Sequence, residues 1–223
     1  EPVGKVRLPK KFDARNPHAR SIHGDQLLAC ACSHLNNVAI VVDGVDKIRQ
    51  AVRENIRRGA SFIKFVASGD VTTTGSRLHS LEFSDEEVLA IVDEVNRHGI
   101  YCTAHAHSDP AIERAIRLGV HCIEHATLIE RETARIAADA GTYIVPTLAV
   151  IAAFATHGPE AGLHPVSMAK LDQVRQQMFP RLAHMRDAGV RLGFGTDLLG
   201  FVEGEQCSEF TLRSEVFSPH DIL

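Results

Sequence analysis

No apolar run in the chain approaches the roughly 18 residues that a membrane-crossing helix needs. The opening EPVGKVRLPKK also lacks the apolar core of a signal peptide. A basic excess is missing too: the formal charge is −4, which leaves no electrostatic footprint for nucleic acid. Neither GxGxxG nor GxxxxGK[ST] occurs at a strand-to-helix turn, which argues against a nucleotide-binding sheet. The cysteines (Cys30, Cys32, Cys102, Cys122 and Cys207) number five, an odd count. Cys102 and Cys122 fall inside strand-like segments, where a reduced thiol acts as a small hydrophobe, so a reducing, cytoplasmic setting is expected. What is there is 223 residues, 44% hydrophobic and 23% charged, the profile of one globular domain.

From residue 43 onward, helix and strand signals alternate. DGVDKIRQAVRENIRRGA places Val45, Ile48, Val52 and Ile56 at helical spacing and stops at Gly59. FIKFVASG reads as a strand, and Ser84 with Glu87 forms a capping box before the helix VLAIVDEVNRHG. YCTAHAHS is the next strand. Asp109-Pro110 opens a helix that Gly119 closes, and the strand HCIEHA and the helix around ERETARIAADAG follow. TYIVPTLAV and VRLGFGTD are expected as strands, separated by a long helix near 165–188 that Pro180 should kink or break.

Five βα-type units with continuous apolar strands predict an α/β fold with a parallel sheet covered by helices. Four polar residues stand at or near the C-terminal ends of its strands: Lys64, His105, His125 and Asp197. That is where a (β/α)8 barrel of the TIM type carries its active site. Five strands do not close eight, so the barrel is expected to be incomplete. Its unpaired edges would favour self-association into a homo-oligomer.

The residue types suggest a chemistry. Buried Lys and Asp are rare unless paired or metal-bound. Imidazole and carboxylate suit zinc and similar divalent ions. A lysine can join them only as a carbamate, and burial among Phe62, Ile63, Phe65 and Val66 would favour the neutral amine that carboxylation requires. Each residue alone has an ordinary explanation: a strand histidine is more often a hydrogen-bonded core residue, and a lysine a surface residue with a buried stem. Order and position together favour a metal site. Cys30-x-Cys32-x-His34 is a weaker zinc clip, with no fourth ligand nearby in sequence.

The segments IKFVASG, TAHAHS, IEHATLI, IVPTL and GFGTDLLG resemble the metal-dependent amidohydrolase superfamily. They are closest to its imidazolonepropionase-like branch, which includes Xaa-Pro dipeptidases and related carboxypeptidases. The resemblance runs from about Ile22 to the C-terminus. It implies Lys64 as a bridging carboxylated lysine, His105 and His125 as metal ligands, and Asp197 as both ligand and proton shuttle. It also implies His107 and, more distantly, His23 near the substrate, and two divalent ions, most often zinc, in a complete enzyme. The branch opens with a strand ending in His-x-His, and no such pair precedes Lys64 here; His18 and His23 have the wrong spacing. Asp70 stands where many relatives have glycine.

The expected organisation is a leader and loop over the site at 1–42, followed by a partial barrel at 43–223. The function expected first is metal-dependent hydrolysis of amide bonds in dipeptides or N-acyl amino acids, with a small-molecule substrate and no nucleic-acid or membrane partner. A catalytically silent fragment acting as an interaction module is one alternative. A hydrolase of cyclic amides, lactones or mycotoxin-like amides is the other.

Overall fold

The computed structural model describes residues 4–7, 39–198 and 200–222. Among these residues, seven strands form one open sheet. β1 (Gly4–Arg7) lies antiparallel between β2 (Ala39–Val42) and β3 (Phe62–Val66). β3, β4 (Tyr101–Ser108), β5 (Cys122–Leu128), β6 (Tyr143–Val145) and β7 (Arg191–Leu192) are then parallel, each beside the next. These five parallel strands match the expected partial barrel, and the sheet is not closed. That β1 would insert between two later strands carries no signal in GKVR.

The parallel strands are joined by helices at the expected places. α1 (Val45–Arg57) leads into β3 and α2 (Asp85–Arg97) into β4, the latter with both halves of the Ser84/Glu87 capping box formed. α3 (Asp109–Arg117) starts with proline in its first turn, where the missing N–H is no loss, and α4 (Arg131–Ala140) ends on left-handed Gly141. The core lies between these helices and one sheet face. Ile63, Phe65, Ala104, Ala106, Ile123 and Ile144 supply the strand side, and Ile48, Ile91, Ile112 and Ala134 the helix side. Strand alternation puts Lys64, Thr103, His105, His107 and Glu124 on the opposite face.

Three expectations need correction. TYIVPTLAV is a strand only to Val145. Thr147 takes left-handed backbone (φ 52°), and α5 (Leu148–His157) begins directly after it. VRLGFGTD is a strand only over Arg191–Leu192. There, Cβ atoms on Gly193 and Gly195 would sit 2.9 and 2.7 Å from the Val145 methyls, so only glycines let this segment lie flat against β6. α6 (Pro165–Ala188) continues through Pro180, so the helix does not break there. Val174 and Met178 before the proline and Leu182 and Met185 after it are all buried, and this packing outweighs one lost backbone hydrogen bond. Among the described residues, no helix is long and apolar enough to cross a membrane.

Candidate functional site

β4 delivers two histidines to one face because His105 and His107 are two residues apart on a strand. β5 reaches the same place differently. Its register pairs His125 with Ala106, on the helix-covered side, and the ladder shifts just after. His125 and Ala126 then adopt φ of 77° and 48°, left-handed backbone that costs of order 1–3 kcal/mol per residue outside glycine. This turn brings His125 to the other two. Ring centroids lie 4.6 Å apart for His105–His107, 4.5 Å for His105–His125 and 5.0 Å for His107–His125.

All three imidazoles are buried. His107 Nδ1 lies 2.8 Å from Thr127 Oγ1, and His125 Nδ1 lies 2.7 Å from Thr147 Oγ1. With Nδ1 so engaged in both rings, Nε2 is the nitrogen through which either would coordinate a ligand. Burial pushes His107 down to about 4, against the opposing pull of Asp70, so its ring is neutral at physiological pH. Ser68 Oγ accepts the His107 backbone N–H at 2.9 Å and ties β4 to the loop after β3.

That loop carries Asp70. Burial works against ionising its carboxyl, yet the facing His105 and hydrogen bonds from Thr73 and Thr72 keep it well below the usual carboxylate range. α6 grips the loop from the far side. Lys170 Nζ donates to the carbonyls of Asp70, Thr73 and Ser76 at 2.8, 2.6 and 3.0 Å, and Ser167 Oγ to that of Thr72 at 2.8 Å. An ammonium has three protons, and Lys170 uses each on the loop backbone, so it fastens the loop and has no donor left for a substrate.

The remaining expected residues are spread around this cluster. Lys64 is half-buried and pairs in register with Thr103, two residues before His105. Thr103 Oγ1 donates to Glu124 Oε1 at 2.7 Å, and Glu124 pairs in register with His105. Asp197 follows β7, half-buried, with φ 52°. His23 and the Cys30-x-Cys32-x-His34 segment lie outside the described residues. The structure therefore unites His105, His107 and His125, whereas Asp197 does not close a metal-binding group with them: among the described residues no three His, Cys, Asp or Glu side chains are grouped to hold an ion. The donor chemistry still fits a divalent ion. Two of the imidazoles hydrogen-bond hydroxyls through Nδ1, and Lys64 and Glu124 stand on the two strands that flank β4.

Sequence reasoning passed over Glu124, Thr127 and Thr147. Glu124 was legible from alternation in HCIEHA. The threonines were not, because each depends on where a strand ends.

Residues 12–216 match the Amidohydrolase family. The chain belongs to that family. Ochratoxinase of Aspergillus niger is 35% identical over 157 residues, 70% of this chain and 32% of the relative. A prolidase crystallised with N-methylphosphonate-L-proline superposes with a TM-score of 0.83 at 37% identity, covering 97% of this chain and 50% of the prolidase. A Xaa-Pro dipeptidase with bound methionine gives a TM-score of 0.73 at 29% identity, over 80% of this chain and 44% of the dipeptidase. The chain thus spans between a third and a half of the length of these relatives.

Proposed function

We propose that this amidohydrolase chain supplies ligands of a divalent-metal site that hydrolyses amide bonds, with dipeptides or N-acyl amino acids as substrates. The observation that supports this most is the buried His105–His107–His125 cluster on β4 and β5. Nothing in ordinary core packing requires three contacting imidazoles or the left-handed backbone that brings His125 to them. The similarity to a prolidase and a Xaa-Pro dipeptidase supports the peptide-like substrate class.

In this reading His105, His125, Asp197 and carboxylated Lys64 would hold the metal, and zinc is the expected ion. When bound, the metal would lower the pKa of a water and polarise the carbonyl under attack. The chain's own residues do the rest. The Asp197 carboxylate takes a proton from the attacking water and passes it to the departing nitrogen. His107, neutral and fixed between Thr127 and the Ser68 loop, lines the substrate side without adding charge.

The test is Zn²⁺ binding by the full chain and its His105→Ala and His125→Ala variants, with hydrolysis of Xaa-Pro dipeptides and N-acyl amino acids measured in parallel. Wild-type binding that either substitution abolishes is the expected result; equal binding by all three proteins would reject the proposal. The ochratoxinase match favours one further arm, a mycotoxin amide offered in the same assay. Metal binding without turnover of any substrate would favour the silent module.

A further inference from the structure

α7 (Ser208–Arg213) carries an acid and a base that the chemistry above does not use. Glu209 and Arg213 are both buried and pair across one helical turn at 2.9 Å. Taking two charges out of water is costly unless every remaining polar atom is well partnered. Here each partner makes a further contact with backbone, one in the first turn of α5 and the other just after β7. Glu209 Oε2 accepts the Ala149 N–H at 2.8 Å, and Arg213 donates to the Gly193 carbonyl at 2.7 Å. Ala149 is two residues beyond Thr147, the partner of His125. Gly193 opens the segment that leads to Asp197.

The local chemistry explains why a remote acid is used. Thr147 occupies the N-cap position of α5, where a threonine hydroxyl ordinarily accepts an amide hydrogen bond from the first turn. It makes no such bond; its hydroxyl faces His125 Nδ1 instead. Glu209, 60 residues beyond Ala149 in sequence, supplies the acceptor that Thr147 has given up, and its charge suits a helix N-terminus. On the other side, Gly193 and Gly195 press bare backbone against Val145, and the Arg213 guanidinium lies 5.0 Å from the Phe194 ring between them.

We propose that the Glu209–Arg213 pair is a positioning device that sets His125, through Thr147 and the start of α5, and Asp197, through Gly193, at a fixed separation. Neither residue touches reacting atoms. The proposal rests on reading His125 and Asp197 as parts of one metal site, and its test is arranged so that the two ideas can fail separately.

The full chain, Glu209→Gln and Arg213→Met are compared with Glu94→Gln, which disturbs a different buried acid, paired with Arg49 and Arg53 on the α1–α2 side. In metal-free protein, NMR signals of the Ala149 amide, the His125 imidazole and the Gly195–Asp197 amides should move together in the two α7 variants and stay put in Glu94→Gln. Co²⁺ affinity, measured by competition with a chromophoric chelator, should fall about 10-fold or more in the α7 variants, as for other groups that orient metal ligands, and hold in Glu94→Gln. Shifts confined to α7 and Phe194, or Co²⁺ affinity within about two-fold of wild type, would overturn the proposal. If wild type binds no Co²⁺ while the signals still move together, the metal reading fails and the positioning role stands. Should Glu209→Gln not fold, Arg213→Lys keeps the ion pair but cannot also reach the Gly193 carbonyl. It should then move the Asp197 signals without moving those of His125, and no movement would overturn the proposal.

Discussion

Thr147 Oγ1 lies 2.7 Å from His125 Nδ1, and both residues hold left-handed backbone, at φ 52° and 77°. A strained residue on β5 and the strained N-cap of α5 meet through a single hydrogen bond. The bond anchors Nδ1 and the ring plane, and the strain places the ring beside His105. Thr147→Val keeps the shape and removes the hydroxyl. Zn²⁺ affinity should fall about 10- to 100-fold, the usual cost of losing a group that orients a metal-bound histidine. Chelator competition measures it, and unchanged affinity would mean that Thr147 does not orient a ligand.

The chain order of βα units was legible because helices and strands announce themselves by period and by caps: Ser84 with Glu87, Asp109-Pro110, Gly141. His105 and His125 were legible because polar residues interrupted apolar strands. The face on which His125 stands was not, since the register alone directs it to the helix side and only the φ reversal at His125–Ala126 corrects it. Neither residue is a glycine, so no letter in HCIEHATL marks the turn. The early end of β6 at Val145 was marked by Pro146, which cannot donate to the ladder, but the left-handed turn at Thr147 was not. Nothing in SEFTLR sets Glu209 and Arg213 apart from an ordinary i, i+4 pair, because their burial depends on contacts with Ala149 and Gly193 far away in sequence.

Glu94 links α2 to Arg49 and Arg53 on α1. Hydrogen bonds from Arg53 and, less strongly, Arg49 pull its carboxyl down from 4.5 to about 2, against burial. The folded state therefore binds its proton less readily than the unfolded chain. The stability this contributes is fully present above about pH 4.5 and is lost as pH falls towards 2. Because the arginine heads remain partly in water, Glu94→Gln should cost only about 1 kcal/mol at neutral pH. It should also flatten the loss of stability between pH 5 and 3. Urea midpoints at both pH values measure this, and parallel losses in wild type and variant would contradict it.

Pro180 is exposed inside α6 and withholds one amide from the helix ladder. Its ring contributes little to the core, which is built from Met178 and Leu182 on the buried face. Pro180→Ala restores the N–H and relieves the clash with the preceding turn. Stability in urea should rise by about 1–3 kcal/mol. A loss would show that the proline sets a bend that the buried residues on either side require.

Asp197 gives the sharpest test of the proposed chemistry. Its left-handed backbone, φ 52°, is one that Asp and Asn tolerate better than most residues, so Asp197→Asn adds no strain and keeps one oxygen in place. What it removes is basicity. If Asp197 carries the proton from water to the leaving nitrogen, turnover should fall about 10²- to 10⁴-fold while substrate binding stays nearly intact. If instead the carboxylate only caps the 3-10 turn over Gly200–Glu205, the substitution costs about 1 kcal/mol of stability or less and leaves the rate alone. Asparagine is itself a good cap, which widens the gap between the two outcomes. Measuring kcat, metal content and the urea midpoint on the same preparation separates them. Retained metal with lost turnover supports proton transfer, and retained metal with retained turnover leaves Asp197 a structural residue.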